Sequence, residues 1–186
     1  MEAGQIIIIN GTSSSGKTSI LHAFQNTQAE VYLECGIDTF IWMMPERYRE
    51  RPLWEDVLGQ ANKAGYAGHQ LVKGMHQAIR SLSLAGINVI ADHIMIEFEW
   101  ARECARLLAD LPAYIVGVHC PLDIVEAREA SRKNRTLGQA RLQNPIIHKF
   151  TQYDVVVETS RFDPEECTQQ IQLCMMKPPV GLRKML

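Results

Sequence analysis

The decisive stretch runs Ile6-Ile7-Ile8-Ile9-Asn10-Gly11-Thr12-Ser13-Ser14-Ser15-Gly16-Lys17-Thr18 and continues as Ser19-Ile20-Leu21-His22-Ala23-Phe24. The run from Gln5 to Asn10 is almost pure isoleucine, which suits a strand buried on both faces. Residues after Gly16 predict a helix over 17–27. Between the two, Gly11-x-x-x-x-Gly16-Lys17-Thr18 fits the pattern of a phosphate-wrapping loop. Glycines there let backbone N–H groups converge on phosphate oxygens, and the helix start adds a favourable dipole. In such a loop Lys17 bridges the β- and γ-phosphates of ATP and the Thr18 hydroxyl holds Mg2+. The candidate nucleotide-binding residues are therefore Gly11, Thr12, Ser13, Ser14, Ser15, Gly16, Lys17 and Thr18. The plain alternative is a Ser/Gly-rich turn, but this motif leaves a strand and opens a helix, as a phosphate loop requires.

Working outward, short apolar runs alternate with helical patterns. Further strand candidates are Val31–Cys35, Asn88–Asp92, Ala113–His119 and Tyr153–Glu158. Residues 67–85 carry Leu71, Met75, Ala78, Ile79 and Leu82 at helical spacing, with Gly86 as the stop. Residues 97–111 put Ala101, Cys104, Ala105, Leu108 and Leu111 on one face. Asp163-Pro164-Glu165-Glu166 reads as an N-cap, a first-turn proline and a capping-box acid, opening a helix to about Met176. The alternation predicts an α/β fold with a parallel sheet and right-handed crossovers. The expected organisation is one domain over 1–177 and a flexible tail over 178–186.

The 186 residues carry 46% hydrophobic and 22% charged side chains, ordinary for a globular domain. A net charge of −2 and a pI near 6.3 argue against a general polyanion binder, so no nucleic acid is expected as partner. Cysteines at 35, 104, 120, 167 and 174 are odd in number and form no C-x-x-C pair. That pattern reads as buried thiols in a reducing compartment. With no signal-like start and no apolar run long enough to cross a bilayer, the expectation is a cytoplasmic protein with no membrane partner.

Two acids stand where a phosphate loop needs them. Val89-Ile90-Ala91-Asp92 is an apolar strand ending in a carboxylate, which would contact Mg2+ directly or through water; alternatively Asp92 caps the next turn. Asp38, in Gly36-Ile37-Asp38-Thr39, lies past a strand candidate at the edge that faces the ligand crevice in open α/β sheets. It would accept or orient the proton of an acceptor hydroxyl, or else N-cap a helix starting at Thr39.

Arg128, Arg132 and Arg135 are spaced i, i+4, i+7, with Lys133 and Arg141 nearby and Glu129 the only acid between 128 and 141. They make either a lid near 128–143 that closes over ATP, or a solvated basic helix with Glu129 paired to Lys133. Arg128 and Arg132 would then contact the nucleotide, and Arg132 and Arg135 would stabilise the transferring charge. His148 is a lone histidine of the kind that is more often structural. Thr159-Ser160 follows the last strand, where kinases of this shape line the adenine pocket. Trp42, Met43, Met44, Tyr48 and Trp54 would floor an apolar acceptor site, although Ile37, Ile41 and Met44 also make a core stripe.

Taken together, these residues resemble the chloramphenicol phosphotransferase family of small P-loop kinases. The resemblance runs from Ile6 to about Ser160. It rests on Ile9–Thr18, Gly36–Ile41, Met44-Pro45, Val89–Asp92, Val116-Gly-Val-His-Cys120, Glu126-Ala-Arg-Glu129, and His148 followed by Tyr153-Asp154. It implies a five-stranded parallel sheet flanked by helices, similar to shikimate and nucleoside monophosphate kinases. It also implies transfer of the γ-phosphate of ATP to a small-molecule hydroxyl, with Asp38 as base and a lid around Arg132 and Arg135. Two features depart from the family: His93 follows Asp92, and residues 46–70 do not match. The alternative is a P-loop protein that binds nucleotide and a partner with little catalysis. A GTPase switch is disfavoured, because Asn62-Lys63-Ala64-Gly65 lacks the guanine-reading acid. The sequence leaves the oligomeric state open.

Overall fold

In the computed structural model, residues 2–50, 54–58, 61–131 and 137–186 are described. Five strands form one parallel sheet: β1 (Ile6–Asn10), β2 (Tyr32–Glu34), β3 (Asn88–His93), β4 (Ala113–His119) and β5 (Val155–Glu158). Their spatial order is β2-β3-β1-β4-β5. The isoleucine run is central. Ile6 pairs with Val89 on one side and Ala113 on the other, and Ile9 with Asp92 and Val116. Ile6, Ile7, Ile8 and Ile9 are fully buried. Burial of each removes roughly 2–3 kcal/mol of apolar surface cost.

The alternation of side chains sends the two isoleucine pairs to opposite cores. Ile7 and Ile9 pack with Ile20, Leu21 and Phe24 of α1 (Lys17–Thr27) and with Cys167 and Ile171. Ile6 and Ile8 face a larger core that includes Ile37 and Ile41 of α2 (Ile37–Met43). A 3-10 turn follows at Glu46–Tyr48, then the short α3 (Trp54–Val57) and the long α4 (Tyr66–Leu84). α4 lends Val72, Met75 and Ile79 to this core, and α5 (Phe98–Leu108) lends Trp100, Ala101, Cys104, Ala105 and Leu108. The chain continues through α6 (Leu122–Ala130), α7 (Gln139–Gln143) and α8 (Pro164–Met175). Asp163 accepts from the Glu166 N–H at 2.8 Å while the Glu166 carboxylate accepts from the Asp163 N–H at 3.0 Å, which is the reciprocal cap expected from the sequence.

Three expectations need correction. Residues 178–186 do not run loose. Asp154 accepts from the N–H groups of Val180 and Gly181 at 2.6 and 2.8 Å, Leu182 is buried, and Arg183 donates to the Ala109 carbonyl at 3.0 Å. One buried leucine and a carboxylate that satisfies two amides hold the segment down. Asp38 is not a helix cap, because α2 begins at Ile37 with Gly36 in the cap position, leaving Asp38 in the first turn. Glu129 is buried rather than solvated. It is 2% exposed and accepts from the N–H groups of Gly138 and Ala140 at 2.7 and 3.1 Å, capping α7. Cys35, Cys104 and Cys167 are buried and all five thiols are free. No helix among the described residues is long and apolar enough to cross a membrane.

Candidate active site

The loop from Gly11 to Gly16 lies at the carboxyl end of β1, where strands in open α/β sheets present their ligand crevice. Gly16 enters α1 with φ +99° and Ser14 has φ +62°, so successive amides turn inward. A side chain on Gly11 would meet Ser15 Oγ and the Val118 carbonyl at 2.8 Å each, so only glycine lets the loop close against β4. Lys17 lies back along the loop and donates to the carbonyls of Gly11 and Thr12 at 2.8 and 2.7 Å. The hydroxyl oxygens of Ser13, Ser14 and Ser15 are buried without a hydrogen-bond partner. Buried hydroxyls in that condition are costly in an ordinary turn and suited to a polyoxyanion ligand. Thr18 is exposed at the first turn of α1.

β3 ends on the same side. Asp92 is 5% exposed, and its Oδ1 is buried with no hydrogen-bond partner. Burial is the main cause that pushes its carboxyl up to about 6; the negative charges of Asp38 and Glu34 push the same way, and the Lys17 ammonium opposes them. A side chain on Gly36 would sit 1.8 Å from Asp92 Oδ1. Gly36 is therefore the residue that lets the turn carrying Asp38 approach the Asp92 carboxylate. Asp38 is half-buried, one turn of helix from Trp42, and Trp42 and Met43 are exposed at 71 and 73% while Ile37 and Ile41 pack inward. The structure thus brings Lys17, Asp92 and Asp38 together across the ends of β1 and β3 and the start of α2. Thr18 and the unpartnered Asp92 carboxylate oxygen are the residues here that could hold Mg2+, which would neutralise phosphate charge.

Arg128 sits beneath the loop. Its guanidinium donates to Thr159 Oγ1 at 3.0 Å and to the Thr159 carbonyl at 2.8 Å, and Thr159 Oγ1 donates to the Ser15 carbonyl at 2.7 Å. Arg128, expected to contact nucleotide, is linked to the phosphate loop through Thr159. Arg132 and Arg135, with Lys133, lie outside the described residues.

Five residues at or beside the site carried no strong local signal in the sequence. Gln143, 2% exposed, accepts from the Ser13 N–H at 2.7 Å and donates to the Ala61 carbonyl at 3.1 Å. It ties the phosphate loop to α7 and to the segment before α4. Asn10 is fully buried, accepts from the Met95 N–H at 2.8 Å and donates to the Ile147 carbonyl and Tyr153 Oη, each at 2.8 Å. His93, next to Asp92, is turned into the opposite core, where its Nε2 lies 2.9 Å from His76 Nε2. Burial, His76 and Lys17 hold His93 neutral, with its pKa well below the ordinary value. His119 and His148 stack with ring centroids 4.0 Å apart at the end of β4.

A family model described as chloramphenicol phosphotransferase-like protein matches residues 4–175. A Mycobacterium tuberculosis protein, whose name proposes an O-phosphotransferase, is 30% identical over 184 residues covering 92% of this chain and 82% of that protein. Among solved structures, a sugar kinase from Janibacter sp. matches with a TM-score of 0.70 at 14% identity, over 95% of this chain and 97% of its own. The Mycobacterium tuberculosis APS kinase, solved with AMPPNP and APS, matches with a TM-score of 0.64 at 16% identity, over 95 and 100%. At such low identity the two structures speak for the fold, which is that of P-loop kinases.

Proposed function

We propose that this chain, which belongs to the chloramphenicol phosphotransferase-like family and is a phosphotransferase of kinase fold, moves the γ-phosphate of ATP to a hydroxyl group of a small molecule. The observation that carries the reading is the convergence of a buried, half-unpartnered Asp92 carboxylate, Asp38 and Lys17 beside three buried serine hydroxyls that lack partners.

In this reading Gly11, Thr12, Ser13, Ser14, Ser15 and Gly16 bind the phosphates through backbone amides, and Lys17 swings from the Gly11 and Thr12 carbonyls onto phosphate oxygens. Thr18 and Asp92 would hold Mg2+, which supplies neutralisation of phosphate charge when bound. Asp38 orients the acceptor hydroxyl and takes its proton. Because phosphoryl transfer proceeds through a loose transition state, orientation is the larger part of that role. Arg132 and Arg135 would stabilise the transferring charge, and Arg128 holds the loop in register through Thr159. Trp42 and Met43 offer apolar surface one turn from Asp38, which favours an acceptor with an apolar body.

The test is ADP release by the purified full chain with ATP and Mg2+, run against a panel of hydroxylated antibiotics and metabolites. Asp38→Asn is expected to lower kcat by about 30-fold or more while leaving ATP affinity unchanged. Absence of any Mg2+-linked ATP affinity in the unaltered protein would overturn the reading.

A further inference from the structure

Gln143 of α7 is 2% exposed and spans two stretches of backbone that lie far apart in the sequence. Each of its bonds has only one possible sense. The Ser13 N–H can only donate, so Oε1 faces it at 2.7 Å; the Ala61 carbonyl can only accept, so Nε2 faces that at 3.1 Å. One buried carboxamide thereby bridges the phosphate loop and the turn ahead of α4.

Both ends of the bridge are sensitive. Ser13 has a buried hydroxyl with no partner, so a phosphate that engages Ser13 acts on a residue already tied to Gln143. Ala61 is held at φ +63°, a left-handed conformation that a residue with a Cβ rarely adopts. Such a conformation persists only where its surroundings hold it, and the bond from Gln143 is part of that hold.

The connection continues past Ala61. Three residues on, the Ala64 N–H donates to Glu97 Oε1 at 3.0 Å, and Ala64 is buried in one core cluster with Val57, Leu58 and the Ile37 and Ile41 of α2. Asp38 is carried on that same helix. Hydrogen bonds and packed side chains therefore run from the phosphate loop through Gln143 to the helix that bears Asp38.

We propose that Gln143 is a positioning residue that couples occupancy of the phosphate loop to the placement of α2, so that nucleotide binding sets Asp38 for the acceptor. It acts through Ser13 and Ala61 and not on the phosphate itself. The inference rests on the phosphoryl-transfer reading above.

The experiment is backbone hydrogen exchange of the full chain, with and without saturating Mg2+ and AMPPNP, a non-hydrolysable ATP analogue. In the unaltered protein the analogue is expected to slow exchange at residues 61–66 and 37–43 by about fivefold or more. The side-chain Nε2 proton resonances of Gln143 should shift on the same addition. Gln143→Met keeps the length and burial of the side chain and removes both bonds. It is expected to bind AMPPNP within about fivefold of the unaltered protein. Its exchange at 61–66 should be faster without nucleotide, and the slowing on nucleotide addition should vanish in both segments. A purely structural role would speed exchange equally with and without nucleotide and leave that difference intact.

Slowing that persists in Gln143→Met overturns the inference and makes the side chain a packing element. So does an unaltered protein in which AMPPNP changes neither the exchange of the two segments nor the Gln143 resonances. Those two readouts need no variant and decide the question if Gln143→Met fails to fold. In each of these outcomes AMPPNP still binds, so phosphoryl transfer stands and the coupling falls. If the unaltered protein binds no AMPPNP, both fall.

Discussion

The two halves of the candidate site are made in different ways. The phosphate-gripping half is written in thirteen consecutive residues, from Ile6 to Thr18, and its geometry follows from one strand, one glycine-rich turn and one helix start. The other half is assembled from pieces scattered along the chain: Gly36 and Asp38, Asp92 and Gln143. A contiguous motif is shaped by local backbone chemistry, while a dispersed one exists only after the sheet has brought its parts together. Substitutions in the first half should therefore act on chemistry with the fold intact, and those in the second should mix function with stability.

The largest expected effect tests the first half. Lys17→Ala removes the ammonium held by the Gly11 and Thr12 carbonyls, and turnover should fall about a thousandfold or more with little change in circular dichroism. Equal loss of activity and structure would erase the distinction between the halves. Next comes Gly36→Ala, whose added carbon would lie 1.8 Å from Asp92 Oδ1. Activity should fall about a hundredfold and thermal stability by roughly 1–3 kcal/mol, because a crowded carboxylate must move.

Asp92→Asn sharpens the comparison by changing sign. The folded state raises the Asp92 carboxyl from 3.8 to about 6. It binds that proton more tightly than the unfolded chain, so the charge opposes folding as pH rises from about 4 to about 6 and remains a constant penalty above. Without nucleotide or Mg2+, the asparagine variant should be more stable than the parent at pH 8 by about 3 kcal/mol, and no more stable near pH 4, as read by denaturant unfolding at each pH. The smallest effect is that of Gln143→Ala. Loss of its bonds to the Ser13 N–H and the Ala61 carbonyl should cost about 1–2 kcal/mol and raise the KM for ATP a few-fold.

The same division explains what could be read from the sequence. The strands, the helix over 17–27 and the Asp163–Glu166 capping box depend on residues within a few positions of one another, and all appear where the pattern put them. Asp92 was legible as the end of an apolar run and Asp38 as an acid past β2, but the contact through Gly36 that joins them was not. The role of Gly36 shows only where Asp92 arrives from β3. The burial of Glu129 was not legible because the Gly138 and Ala140 amides that it accepts from belong to the next helix start. The segment 178–186 looked loose because its prolines and glycine say nothing of Asp154, which waits for it ahead of β5. Arg128 carried the right charge for a nucleotide contact, and only the fold shows Thr159 standing between it and the loop.

The strand order carries a consequence for how the chain is made. β1 lies at the centre of the sheet, yet its two neighbours are residues 88–93 and 113–119, which leave the ribosome long after Ile6–Ile9. Throughout that interval an uncharged, β-prone isoleucine tetrad is available to pair with the same tetrad on another nascent chain. Cells producing this protein fast should accumulate it in inclusion bodies, and slower synthesis or a holdase chaperone at the exit tunnel should raise the soluble yield more than any repair of the finished fold.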